Sequence, residues 1–77
     1  MSKPTRITNS IRALRFARGE MTQAQLAQRI GVTRQTVMAI EQGRYSPSLE
    51  MAFQIARVFA MPLDEVFQYP DNDGEKR

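Results

Sequence analysis

The feature that most constrains this chain is the run of twenty residues from Gln23 to Gln42, "QAQLAQRIGVTRQTVMAIEQ". Leu26, Ala27 and Ile30 recur at the spacing of one helix face, and after a break Val37 and Ile40 do so again. The break contains Gly31, the residue type that closes a helix in the left-handed conformation. Thr22 with Gln25 forms a capping box ahead of the first segment, so a helix begins at Gln23, and Thr33 caps the segment that follows. Two short helices joined by so short a turn have few ways to pack. Ala27 is small because the next helix crosses it closely, and Val32, Val37 and Ile40 wedge the pair at a fixed angle.

The remaining segments supply the helices that bury this unit. Ile7, Ile11, Leu14 and Ala17 line one face of a first helix ending near Gly19. Downstream, Gly43 ends the third helix, and "RYSPS" is a loop because Pro47 disfavours helix at Ser46. Ser48 caps a fourth helix that turns Leu49, Ala52, Ile55, Ala56 and Phe59 inward. Pro62 stops it and opens a short fifth helix, "PLDEVF", with Asp64 and Glu65 in the first turn, where the helix dipole favours acids. There is no internal repeat and no alternating strand pattern. The expected organisation is a flexible N-terminal arm over residues 1–8, an all-α domain over 9–69 and a disordered polar tail over 70–77.

At 77 residues, one apolar core only just outweighs conformational entropy, which favours help from a partner subunit. With neither cysteine nor histidine, the chain lacks disulfides, thiolate metal ligands and the usual general base. No pair of carboxylates sits at a plausible buried site and there is no Gly-rich phosphate loop, so no catalysis, cofactor or metal is expected. No apolar run approaches membrane-spanning length and the first residues carry no signal-peptide pattern, which points to the cytoplasm and away from any membrane. Charge is unevenly placed. Met1 to Arg44 holds eight bases against two acids, and Tyr45 to Arg77 three bases against six acids. One face is therefore built to meet a polyanion and another is kept away from it.

The third helix shows where that polyanion binds. With Val37 and Ile40 turned to the core, Arg34, Gln35, Met38, Ala39 and Gln42 fall on the open side. Arg and Gln are the side chains whose paired hydrogen bonds match guanine and adenine edges. Thr33 and Thr36, at the positive end of the helix, can hold phosphate together with backbone N–H groups. Gln42 and Arg44 lie at the far end, where they too can meet phosphate, and Met38 serves as filler against a neighbouring helix.

The spacing over residues 22–42 is that of a helix-turn-helix. Through "LR" at Leu14 and Arg15, "TQAQLA" from Thr22, "IGVTRQTV" from Ile30, "IEQGRYSPSL" from Ile40 and "LDEVF" from Leu63, the chain resembles the lambda-repressor-like, Cro-type regulators of the XRE family. The resemblance covers about Ile11 to Phe67. It implies a compact five-helix DNA-binding domain whose third helix enters the major groove. It also implies that Gln23 binds phosphate, that Arg34, Gln35 and Ala39 approach base edges, and that Arg15 and Glu41 form a structural ion pair that sets the recognition helix. Two departures stand out: "RGEMTQ" is one residue longer than the commoner "RGLTQ" form, and Ala39, too short to reach a base by hydrogen bond, can at most touch a thymine methyl.

The expected function is that of a sequence-specific double-stranded DNA-binding regulator, a repressor working as a homodimer on a palindromic operator, with no small-molecule effector. A single helix with two or three readers specifies too few base pairs, and "MPLDEVFQY" carries more apolar surface than one short helix can hide. Leu63, Val66 and Phe67 are the expected dimer contacts. The alternative is an antitoxin-like subunit that binds a partner protein through its C-terminal part.

Overall fold

A computed structural model describes residues 5–70; the arm residues 1–4 and the tail from 71 onward lie outside the described residues. The elements, in chain order, are β1 (Thr8–Asn9), α1 (Ile11–Ala17), α2 (Gln23–Ile30), α3 (Arg34–Glu41), α4 (Leu49–Phe59), α5 (Leu63–Val66) and β2 (Phe67–Gln68). Each helix contributes one large aliphatic side chain sealed from solvent: Ile11, Leu26, Val37, Ile55 and Val66. Full burial of such a side chain stabilises by about 1.5–3 kcal/mol, so the five together tie every helix to a single core. Met21, Ala27, Ile30, Ile40, Ala56 and Phe59 fill the space between them.

Local chemistry sets the helix ends. Thr22 Oγ1 accepts from Gln25 N–H at 3.0 Å while the Gln25 amide oxygen accepts from Thr22 N–H at 2.8 Å. Thr33 and Ser48 cap α3 and α4 by the hydroxyl alone, accepting from Thr36 and Met51 N–H. At the C-terminal ends, Gly31 and Gly43 take positive φ, and the chain folds back so that Val32 N–H reaches Ala27 O and Arg44 N–H reaches Ala39 O. Helix α4 closes in the same manner with Met61 N–H on Ala56 O, but the left-handed residue is Ala60, at φ 55°. A Cβ in that region costs about 1–2 kcal/mol, part of which glycine gives back in unfolded-chain entropy. Ala60→Gly is therefore expected to stabilise the domain by about 0.5–1 kcal/mol, seen as a rise of a few degrees in thermal melting; a fall in melting temperature would contradict this account of the turn.

Several expectations are corrected. Helix α1 begins at Ile11, so Ile7 precedes it, and Ala17 is exposed; the inward face is Ile11, Leu14 and Arg15. Leu49 is 68% exposed, because as the first residue of α4 it projects one turn beyond the core that begins at Ala52. Phe67 is not helical: the chain straightens there and enters β2. The arm does not stay free through residue 8. Thr8 and Asn9 pair antiparallel with Gln68 and Phe67, Ser10 N–H donates to Val66 O at 2.9 Å, and Thr5 N–H donates to Gly43 O at 3.1 Å. The two ends of the domain are thus clasped together by a two-stranded ribbon. Asn9 secures the clasp. Its Oδ1 accepts from Ile11 N–H at 3.1 Å, opening α1, while its Nδ2 donates to Ile40 O at 3.0 Å, tying the clasp to the last turn of α3.

The longer "RGEMTQ" connection also finds its reason. Glu20 adopts a left-handed φ of 61°, which carries Met21 into the core and aims its carbonyl at the Arg15 guanidinium, 2.8 Å from Nη1. No helix among the described residues is long and apolar enough to cross a membrane.

Candidate nucleic-acid interface

Helices α2 and α3 pack closely on each other through Leu26, Ala27, Ile30, Val37 and Ile40, which leaves the opposite side of α3 open. Arg34 and Gln35 are exposed in its first turn, and Gln42 and Arg44 are exposed at its end; Thr36, Met38 and Ala39 are half-buried between them. Thr33 and Thr36 lie together at the entry, with hydroxyl oxygens 3.0 Å apart and the Thr36 amide donating to Thr33 Oγ1. Helix geometry then points the amides of Arg34 and Gln35 outward from the first turn. At the other end Arg44 Nη1 donates to Gln42 Oε1 at 3.0 Å, so the guanidinium is held beside the end of the helix.

A single carboxylate sets the position of this helix. Glu41 Oε2 accepts from Arg15 Nε at 2.6 Å, and Glu41 Oε1 accepts from Arg15 Nη2 and from Gln23 Nε2, each at 3.1 Å. With Arg15 Nη1 on Met21 O, the guanidinium of α1 is held on both sides, and α1, α2 and α3 meet at one point. The pair is almost shielded from water, with side-chain exposures of 9% for Arg15 and 8% for Glu41. Gln23, expected only as a phosphate contact, therefore has a structural role that spacing did not reveal. One N–H of its amide is spent on Glu41, and the other has no hydrogen-bond partner among the described residues.

Of the three residues expected at a dimer contact, Val66 is ruled out, because it is wholly buried as the contribution of α5 to the core. Leu63 and Phe67 are half-buried, and with Ile7, Phe53 and Tyr69 they line an apolar groove edged by Asp64 and Gln68. Phe53 and Tyr69 are 50% and 66% exposed. The signal for Phe53 was present in the sequence: with Leu49 it forms a second apolar row, four residues apart, beside the inward row of α4. Among the described residues, no group of three or more His, Cys, Asp or Glu side chains is arranged to hold a metal ion.

Comparison with known proteins identifies the family and the fold. A helix-turn-helix family matches residues 11–66, well over half of the chain. The chain is 47% identical over 53 residues to the uncharacterized HTH-type transcriptional regulator MJ0272 of Methanocaldococcus jannaschii, covering 69% of this chain and 80% of that one. It is 48% identical over 59 residues to the uncharacterized HTH-type transcriptional regulator YgzD of Bacillus subtilis, covering 77% and 88%. The cryptic phage CTXphi transcriptional repressor RstR of Vibrio cholerae is 36% identical over 59 residues, and the match spans 52% of its length. A solved structure from Bacteroides fragilis superposes with a TM-score of 0.70 over 80% of this chain and 98% of that one, at 21% identity, a likeness of fold.

Proposed function

Since this chain belongs to the helix-turn-helix family of DNA-binding transcriptional regulators, and not to a family of enzymes, we propose that it is a repressor that reads a palindromic duplex with α3 as a homodimer. The observation that carries the reading is the pair of exposed side chains Arg34 and Gln35 in the first turn of a helix fixed from behind by Glu41. In this reading Arg34 and Gln35 make paired hydrogen bonds to base edges in the major groove, and Ala39 packs on a thymine methyl. Thr33, Thr36, Gln23, Gln42 and Arg44 take the flanking phosphates, which sets register without reading sequence. Repression is inferred from RstR, which is named as a transcriptional repressor.

The homodimer is supported by the apolar groove of α4, α5 and β2. Phe53, Leu63, Phe67 and Tyr69 leave more apolar surface in one place than a domain of this size needs, and a second copy of the chain would cover it. Two-fold pairing also doubles the bases read, with half-sites about 34 Å apart. Sedimentation of the free protein, with a footprint on its selected site, tests this. The expected result is a dimer that Phe53→Glu converts to a folded monomer, and a footprint with two-fold symmetry. A monomer at every concentration, footprinting one half-site only, would refute the dimer and leave the DNA reading in place.

A further inference from the structure

Phe16 is unexplained by the core and by the base-reading helix. It lies on the outer side of α1 and is 53% exposed, yet its ring is held in place, with the guanidinium carbons of Arg12 and Arg15 each 5.7 Å from the ring centroid. Arg15 is already committed to Glu41 and Met21 and cannot leave. Arg12, one helical turn before Phe16, is exposed and has no carboxylate within ion-pair distance among the described residues. The ring also separates two hollows. On one side it lines a depression with Asn9, Ser10, Arg12 and Ala13. On the other it shares a cleft with Glu20, Thr22, Gln23, Ala24 and Arg34. An unbroken surface therefore runs from the base-reading Arg34, past the phosphate-binding Gln23, across an exposed aromatic ring to a free guanidinium.

We propose that α1 makes a second line of contact with the duplex: the Phe16 ring packs on the deoxyribose of the strand held by Gln23, and Arg12 binds the next phosphate outward along that strand. The inference rests on the DNA reading given above and extends it to a helix outside the helix-turn-helix. A sugar offers an apolar C–H face between two charged phosphates, and the alternation of amide, ring and guanidinium along this surface matches that order. Contact between Arg12 and the Phe16 ring holds the cation in place before the phosphate arrives, which lowers the ordering cost of binding. Glu20 is the one carboxylate that opens onto the cleft, and it stands against a passing strand. That gives the proposal a variant of opposite sign.

The test uses the full chain and the duplex that the wild type selects from random sequence, with binding measured across a salt series. Arg12→Ala is expected to weaken binding and to lower the slope of log K against log salt by about one, the contribution of one phosphate contact. Phe16→Ala is expected to weaken binding about fivefold with the slope unchanged, as loss of apolar contact does. Glu20→Gln is expected to tighten it. Circular dichroism checks that each variant keeps its helices, and the selected consensus should be the same for all three because none touches a base. If Arg12→Ala binds with the affinity and slope of the wild type, the proposal is overturned, whether this face is idle or serves another protein. Failure of the wild type to select any duplex would instead overturn the DNA reading itself.

Discussion

Glu41→Gln is expected to lower the melting temperature by roughly 10–20 °C, the largest effect on stability of any single change proposed for this protein. Arg15 and Glu41 are paired through two hydrogen bonds, of 2.6 and 3.1 Å, at a site where neither side chain exceeds 9% exposure. Neutralising the acid leaves the guanidinium desolvated beside Met21 with its charge unbalanced, and breaking a pair in such a place costs on the order of 3–5 kcal/mol. The glutamine retains an oxygen for Gln23 and for one Arg15 N–H, which puts the loss at the lower end of that range. The double variant, Glu41→Gln with Arg15→Met, removes the stranded charge and should recover about half of the deficit. A thermodynamic cycle from the four melting curves checks this: single losses that simply add in the double variant would mean the two groups do not cooperate. Gln23→Ala belongs to the same network. It should weaken DNA binding and lower stability together, because its amide joins α2 to Glu41 and, in the proposed reading, also meets a phosphate.

The second large effect is on discrimination between bases. Arg34→Ala and Gln35→Ala are each expected to erase about 1–3 kcal/mol of preference for the selected base over its alternatives, roughly 5- to 150-fold in relative affinity, with the melting temperature little changed. Both side chains are exposed and support nothing in the core, so the fold should tolerate their removal. Arg44→Ala should behave differently. It lies beyond the end of α3, leaning on Gln42, and its loss should weaken binding to every duplex alike while reducing the salt slope by about one. Affinities for the selected duplex and for single-base mismatches, measured with the three variants, separate readers from clamps. A change of base preference in Arg44→Ala, or none in Arg34→Ala, would reverse the assignment.

What could be read from the sequence followed from local chemistry. Thr22 with Gln25, Thr33 and Ser48 announce helix starts because each cap bonds within three residues, and Gly31 and Gly43 announce stops because few other residues take positive φ. Ala60 gave no such warning, being held left-handed by the packing of α4 and α5 against the core and not by its own preference. The β1–β2 clasp was invisible for the opposite reason. Two-residue strands sixty positions apart have no periodicity to detect, and their pairing depends on α5 having brought Phe67 beside Asn9. Leu49 shows how the helical period misleads at an edge. A residue can fall on the apolar side of a wheel and still project beyond the last layer of core, as Leu49 does at the first turn of α4. At the candidate interface, spacing located the open side of α3, but the hydrogen bond between Gln23 and Glu41 emerged only with the third dimension, since it joins residues eighteen apart on two different helices.

Selection of bound duplexes from random sequence, run in parallel with the wild type and with Arg34→Ala, tests the central claim most directly. The account predicts that the wild type returns one consensus made of two inverted half-sites, and that Arg34→Ala returns the same site with preference lost at one base pair, at the symmetry-related position in each half. A wild type that enriches no sequence, or an Arg34→Ala variant that enriches the wild-type consensus unchanged, would contradict it.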